Sequence, residues 1–229
     1  MVGERREEIT DWTRAERVTE RVLAVYGQIF GSLDALLHEA GIERRAAKTA
    51  KEILASLPLS SLARLTGIAM RQLAAQGNIA AGRPPLRFTH WNMILYSLSG
   101  ARTLREGVAR CIECFEAIDW RCGKMSLSVH GERAQLELDA MRPGKDCTAD
   151  CLVDLFGLTE IHWLLSWLIG RTIKADFVML NHDEQIYRAL ELPSLPFILR
   201  FDGGWTGFAF DAAFLDYPVV HRLESHPAR

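Results

Sequence analysis

Several features that would assign a protein to a class at once are missing from this sequence. No hydrophobic run reaches the roughly 18 uninterrupted apolar residues of a membrane-spanning helix, and the charged N-terminus has no apolar signal core. Neither sign of charge is in excess, since 27 Lys and Arg stand against 29 Asp and Glu, so the overall field does not attract a phosphate backbone. These absences predict a cytoplasmic protein that contacts no membrane and does not itself contact DNA.

The sequence also lacks the short motifs of common catalytic sites. It contains no G-x-S-x-G, H-E-x-x-H, Walker or G-x-G-x-x-G pattern. Gly203, Gly204 and Gly207 fall in a predicted hairpin rather than before a helix, so they do not form a phosphate-binding loop. We therefore expect no catalytic residue and no cofactor. An enzyme that acts on a small apolar substrate is kept as an alternative class.

Cysteine is scarce and odd in number, with five residues in 229. Cys111 and Cys114 form C-x-x-C, and Cys147 and Cys151 form C-x-x-x-C, which four-thiolate zinc sites could use. Zinc-binding pairs normally sit in tight loops, whereas Cys111 falls on the apolar stripe of a predicted helix. Buried reduced thiols are therefore the preferred interpretation, without a metal or a disulfide.

What the sequence does have is an ordinary globular composition, with 48% hydrophobic and 24% charged residues. A chain of this length can form one large domain or two small ones, and we expect a single domain with a flexible segment over residues 1–14. Apolar residues at spacings of three and four predict helices over Ala15–Ala40 and Arg44–Ala55. A third helix is predicted with Ser60 as its capping residue, and it continues through Leu73. Residues 77–88 contain Gly82, Pro84 and Pro85 and are predicted to form a loop.

The second half alternates between helices and strands. A helix is predicted over Trp91–Leu98, and Thr103 with Glu106 forms a capping box for another that ends near Asp119. Strict alternation around Gly131 predicts a β-hairpin, and Asp150–Leu168 reads as a helix buried on most faces. The remaining elements are a strand over Asp176–Leu180, a helix over Asp183–Leu190, and a hairpin of Phe197–Phe201 with Thr206–Phe210. This order predicts an α+β fold, with N-terminal helices and a long buried helix packed on a mainly antiparallel sheet built from hairpins.

Aromatic residues with cationic or polar neighbours form three clusters that could line one small-molecule pocket. The candidate ligand-binding residues are Arg87, His90, Trp91, Trp120, Arg121, His162, Trp163 and Trp167. Ordinary core packing is the competing interpretation for the aromatic residues, and for His162 it is a hydrogen-bonded core histidine. If Trp163 is a core residue, Trp163→Ala is expected to lower the free energy of unfolding by about 3 to 5 kcal/mol. A pocket of this composition favours a mostly apolar ligand with an acidic end.

The order of features resembles the N-terminal effector-binding, arabinose-binding-like domain of AraC-type transcription regulators. The opening helix and its exit in Leu33–Ile42 and the next helix in Leu57–Leu65 resemble the start of these domains. Ile94–Gly107 resembles the family's Y-x-l-x-s-s-x-T-L-r-E-a segment, and Leu192–Pro218 resembles its closing strand pair and F-x-x-x-x-L-d-x-P pattern.

The resemblance implies a sensor that binds a small-molecule effector, can form a homodimer and performs no catalysis. It also implies that DNA is contacted only through a C-terminal helix-turn-helix domain, which this chain does not contain. We therefore expect either a sensor domain separated from its DNA-binding half or a natural stand-alone version. A stand-alone interaction protein is the alternative to a regulator.

Overall fold

The structure of the protein is a computed structural model, and it describes residues 2–42, 50–80, 82, 88–118, 124–139, 147–195 and 197–221. Helices and strands alternate in the second half of the chain, as the sequence predicts. The helices are α1 (Val2–Phe30), α2 (Asp34–Glu39), α3 (Ala50–Ala55), α4 (Leu59–Ala80), α5 (Phe88–Ser99), α6 (Leu104–Ile118), α7 (Thr148–Leu168) and α8 (Glu184–Ala189). The strands are β1 (Lys124–His130), β2 (Arg133–Asp139), β3 (Ala175–Leu180), β4 (Leu199–Phe201) and β5 (Gly207–Asp211).

The first predicted helix is divided in two, which corrects the prediction of one helix over Ala15–Ala40. Gly31 has a φ of 74°, a left-handed conformation that an α-helix cannot continue through. The apolar stripe survives the break because Leu36 and Leu37 of α2 are buried against the same core as Val22 of α1. Periodicity alone could not show the break, since the spacing of apolar residues is the same on both sides.

Helix α4 is longer at its C-terminal end than predicted and begins two residues earlier than a cap at Ser60 requires. Leu59 is its first residue, and the N–H groups of Ser61 and Leu62 donate to the carbonyl of Pro58. Ser60 therefore lies inside the first turn and is not the capping residue. The helix continues to Ala80 through Gly77, so the predicted loop starts too early; its residues 81 and 83–87 lie outside the described residues. One glycine costs a helix only about 1 kcal/mol, which packing offsets.

The capping box of α6 is confirmed. The hydroxyl of Thr103 accepts from the N–H of Glu106 at 3.3 Å, and the Glu106 carboxylate accepts from the backbone N–H of Arg102 at 2.9 Å. The guanidinium of Arg110 donates both to Glu106 at 2.7 Å and to the Ser97 carbonyl at the end of α5 at 3.1 Å. The cap thus fixes the start of α6 and its angle to α5, on which it packs.

The five strands form one sheet in the order β1-β2-β5-β3-β4. The β1–β2 hairpin is confirmed, with His130 opposite Arg133 at its turn. The predicted hairpin of the last two strands is wrong, because β5 is inserted between β2 and β3 and pairs antiparallel with both, while β4 pairs parallel with β3. Local turn residues cannot reveal this insertion, since the partners of β5 are distant along the chain. The prediction of an α+β fold with a mainly antiparallel sheet holds.

Helix α7 lies against the sheet and is buried along most of its length, as predicted. Leu165 and Cys151 are fully buried within it, and Phe208 and Phe210 are fully buried in β5. The buried apolar residues form one contiguous core that runs from α1 to the segment after β5. By length and composition α7 could also cross a membrane, with mean hydropathy 1.3 in its most apolar window, but half of that window is buried inside the protein. A core helix passes the same test, so this observation is weak.

The last described segment returns to the start of α6. Asp211 caps a 3-10 helix over Ala212–Asp216, where its carboxylate accepts from the N–H of Ala213 at 2.8 Å. Pro218 then forms an isolated antiparallel bridge with Thr103. Proline fits this position because its bridge needs no N–H of its own. Two stretches that are distant along the chain therefore meet, and Arg105 adds an ion pair at 3.1 Å with Asp216, 111 residues away.

Candidate functional site

Helix α7 carries the three candidate ligand-binding residues whose side chains the structure describes. His162 is half-buried and faces the sheet, where its ring meets the Phe208 ring edge to face with centroids 5.4 Å apart. Its Nε2 lies 2.6 Å from the carbonyl of Ile173, in the connection between α7 and β3. Because a carbonyl can only accept, Nε2 carries the proton and donates. The ring thus has a hydrogen-bond partner within the domain, as the interpretation of a core histidine expects.

Trp163 and Trp167 have different surroundings from His162. Trp163 is 65% exposed, so it is not a core residue, and the expected cost of 3 to 5 kcal/mol for its truncation is corrected. Trp167 is half-buried and stacks on the ring of His221, with centroids 5.0 Å apart and planes at 14°. Consecutive residues of a helix point about 100° apart, so Trp163 can face solvent although its neighbours are buried. Because α7 is apolar on nearly every side, its sequence does not show which residue faces outward.

The other five candidates are only partly described or lie outside the description. His90 and Trp91 belong to the first turn of α5, where the structure describes the backbone but not the side chains. Arg87, Trp120 and Arg121 lie outside the described residues. Within 88–99 the chain has no Asp, Glu, Lys or Arg, and Met93 and Tyr96 are more than two fifths exposed. Helix α5 therefore presents an uncharged, partly apolar surface.

A buried polar pair that sequence reasoning missed links α7 to the end of β3. Nε2 of His182 and a carboxylate oxygen of Asp154 are 2.9 Å apart, and the two side chains are 0% and 8% exposed. Cys151 lies one turn before Asp154, and Tyr187 of α8 packs against the same core. One signal of this pair is visible in the sequence, because Asp154 is among the few charged residues of α7, but its partner lies 28 residues further along the chain.

The prediction of buried thiols holds for two of the four cysteines that the structure describes and is wrong for Cys147. Cys111 and Cys151 are buried, Cys114 is intermediate, and the exposed Cys147 is the N-cap of α7, where its sulfur accepts from the N–H of Asp150 at 3.4 Å. Burial raises the pKa of the Cys151 thiol to about 12, with a smaller contribution from the Asp154 carboxylate. Such a thiol stays protonated near neutral pH and is a poor nucleophile. Among the described residues, no three His, Cys, Asp or Glu side chains form a group that could hold a metal ion.

Comparison with known protein families decides the class of protein. A family model described as the arabinose-binding domain of AraC transcription regulators, N-terminal, matches residues 31–219. The chain belongs to this family. The match covers the helices from α2 onward, the whole sheet and the 3-10 helix, so the sequence resemblance to AraC-type sensors is confirmed. The chain is a ligand-sensing domain of the AraC type of transcription regulator. Its family is a family of regulator ligand-binding domains, not an enzyme family. No curated protein matches the chain.

Proposed function

We propose that this sensor domain binds a small, mostly apolar effector with an acidic end, in the region where α5 and α7 present aromatic side chains. The exposed Trp163 carries this proposal, because a tryptophan that is 65% exposed on a mostly buried helix offers a large apolar contact surface. Trp167 lies one turn away on α7. The proposed ligand-binding residues remain Arg87, His90, Trp91, Trp120, Arg121, His162, Trp163 and Trp167.

The charge of the candidate residues favours an anionic group on the effector. Arg87 and Arg121 are the cationic members, and an arginine can hold a carboxylate through two parallel hydrogen bonds. His162 adds no donor for such a group, because its Nε2 proton is used by the Ile173 carbonyl, so the preference for an anion rests on the two arginines. A carboxylate with an aromatic or aliphatic body therefore fits the proposed site better than a sugar, although the family's description names arabinose.

The proposal is tested by thermal shift and calorimetry on the 229-residue chain. We expect benzoate or octanoate to raise the melting temperature in a concentration-dependent way, and arabinose to do so weakly or not at all. Arg87→Ala and Arg121→Ala should each weaken carboxylate binding roughly tenfold, the loss of about 1.4 kcal/mol for one charged contact. Arg188→Ala is the matched control, because Arg188 pairs with Glu184 on the surface of α8. Equal binding by both arginine variants and the control would reject the anionic site, and saturable arabinose binding would reassign the effector.

We further propose that the domain acts in the cytoplasm as a homodimer and controls an attached DNA-binding domain. The family assignment supports this role, and the net charge of -2 is consistent with a part that does not bind DNA itself. In sedimentation velocity the chain should show a concentration-dependent monomer–dimer equilibrium. In a mobility-shift titration at low salt it should retain no sequence-selective complex. Sequence-selective binding of a DNA duplex by this chain would contradict the proposal that DNA is bound only by an attached domain.

A further inference from the structure

Residues Tyr217–His221, here called the strap, lie between the N-terminus of α6 and the C-terminus of α7. On the α6 side, the N–H of Leu104 donates to the Tyr217 carbonyl at 2.9 Å, and the N–H of Val219 donates to the Arg102 carbonyl at 2.9 Å. Leu104 is the first residue of α6, and the first N–H groups of a helix have no partner within it. The strap therefore satisfies a donor that α6 cannot satisfy itself.

Two local hydrogen bonds close the C-terminus of α7 without involving the carbonyl of its last residue. Gly170 has a φ of 64°, and its N–H donates to the carbonyl of Trp167 at 2.9 Å, while the N–H of Arg171 donates to that of Ser166 at 3.1 Å. These two bonds form a Schellman motif, which satisfies the carbonyls one and two positions before the last residue of the helix. The carbonyl of Leu168, the last residue of α7, is not part of the motif.

The strap supplies the donors for this remaining carbonyl. The N–H groups of Val220 and His221 both donate to the Leu168 carbonyl, at 2.8 Å and 3.2 Å. The His221 ring stacks on Trp167, and a Cβ placed on Gly170 would lie 2.8 Å from Val220 Cγ2. The strap thus caps the end of α7 as closely as it caps the start of α6.

We infer that the strap is a coupling element, which joins the two helix ends so that loosening its hold on one loosens its hold on the other. Val219 and Val220 are adjacent, but Val219 donates to Arg102, just before α6, and Val220 donates to Leu168 at the end of α7, so a displacement that breaks one bond strains the next. Release of the whole strap leaves the Leu104 N–H and the Leu168 carbonyl, both at helix ends, without these partners, which favours two states, strap held or strap released, over a continuous range.

The regulatory meaning of this element rests on the proposed function. Helix α7 carries the candidate residues Trp163 and Trp167. Helix α6 packs on α5, whose first turn contains the candidates His90 and Trp91. An effector that contacts Trp163 and Trp167, as proposed, would act on the helix whose C-terminus the strap holds. The strap would then transmit a change at the end of α7 to the start of α6. Such coupling is reciprocal, so a change at the start of α6 would also alter the end of α7.

Amide hydrogen exchange on the ligand-free chain tests the coupling. In Gly170→Ala the new methyl group should displace Val220, and the decisive readout is at the opposite end, on the amides of Leu104 and Val219. We expect their exchange to accelerate by about tenfold or more, as local opening becomes easier. Gly131→Ala is the matched control, because Gly131 has a similar φ of 60° in the β1–β2 turn with nothing within 4 Å of an added Cβ.

Two results would overturn the inference. If exchange accelerates at Val220 and His221 but stays within about twofold at Leu104, the two ends are independent. If the Leu138 amide in the sheet accelerates as much as Leu104, the strap is not a separate unit. His221→Ala, which removes the stack on Trp167 from an exposed residue, repeats the test should Gly170→Ala not fold, with the exposed His130→Ala as its control. Because no effector is present, either failure leaves the proposed sensing function untouched.

Discussion

Asp154 and His182 face each other where almost no water can replace either partner. Their side chains are 8% and 0% exposed, and their atoms are 2.9 Å apart. Removing one member of a buried pair leaves the other polar group without this partner in a low-dielectric site. We therefore expect His182→Ala to lower the free energy of unfolding by about 3 to 5 kcal/mol, measured by urea denaturation.

Two further variants separate pairing from simple loss of packing. Arg188→Ala breaks the exposed pair with Glu184 and should cost no more than about 1 kcal/mol. Asp154→Leu combined with His182→Phe removes both polar groups and should recover part of the loss, since apolar replacement of a buried pair is often neutral. A cost for His182→Ala as small as that for Arg188→Ala would show that the pair contributes little.

Glu106 makes the start of α6 sensitive to acid. The backbone N–H of Arg102, followed by the side chains of Arg102 and Arg110, holds the pKa of the Glu106 carboxyl below its usual 4.5. A lowered pKa in the folded state means that the stabilisation is present above about pH 4.5 and is lost as the pH falls through the folded value. Glu106→Gln should thus flatten the decline of unfolding free energy between about pH 5 and pH 3. If the unfolding free energy of Glu106→Gln declines with falling pH as steeply as that of the unaltered protein, the prediction is wrong. Glu184→Gln is the control variant.

At the scale of one element, α7 allows a direct comparison of an outward and an inward residue. Trp163 is 65% exposed and Leu165 is fully buried, two positions apart. We expect Trp163→Ala to change the unfolding free energy by less than about 0.5 kcal/mol, as surface substitutions do. Leu165→Ala should cost about 2 to 5 kcal/mol, because it removes buried methyl groups and leaves a cavity. Thermal or urea unfolding measures both, and a larger loss for Trp163→Ala would place that ring in an interface.

The elements that sequence reasoning predicted best are those with a local physical cause. The capping box of Thr103 and Glu106 and the β1–β2 hairpin depend on residues within a few positions of one another, and both are confirmed. The failures involve partners that are distant along the chain. The insertion of β5 between β2 and β3 depends on such pairings, and the break at Gly31 is a single backbone angle within an unbroken apolar pattern.

The candidate site shows the same division. Local composition correctly identified His162 as a hydrogen-bonded histidine, because its partner Ile173 lies in the next connection. It could not tell that Trp163 faces outward, since α7 is apolar on nearly every side and gives no amphipathic direction. Nor could it pair Asp154 with His182, which only the return of the chain through β3 brings together.

At the scale of the whole molecule, one contiguous core argues for one cooperative unit. Leu62 of α4 and Phe208 of β5 are both fully buried in that core, and α7 contacts both α4 and the sheet. We therefore expect far-UV circular dichroism, which follows the helices, and tryptophan fluorescence to report the same urea midpoint, as a single domain requires. Leu62→Ala and Phe208→Ala, placed in the helical and sheet parts, should each lower this shared midpoint without separating the two signals. Two transitions, with the helical signal lost first in Leu62→Ala, would show instead that the N-terminal helices form a domain of their own.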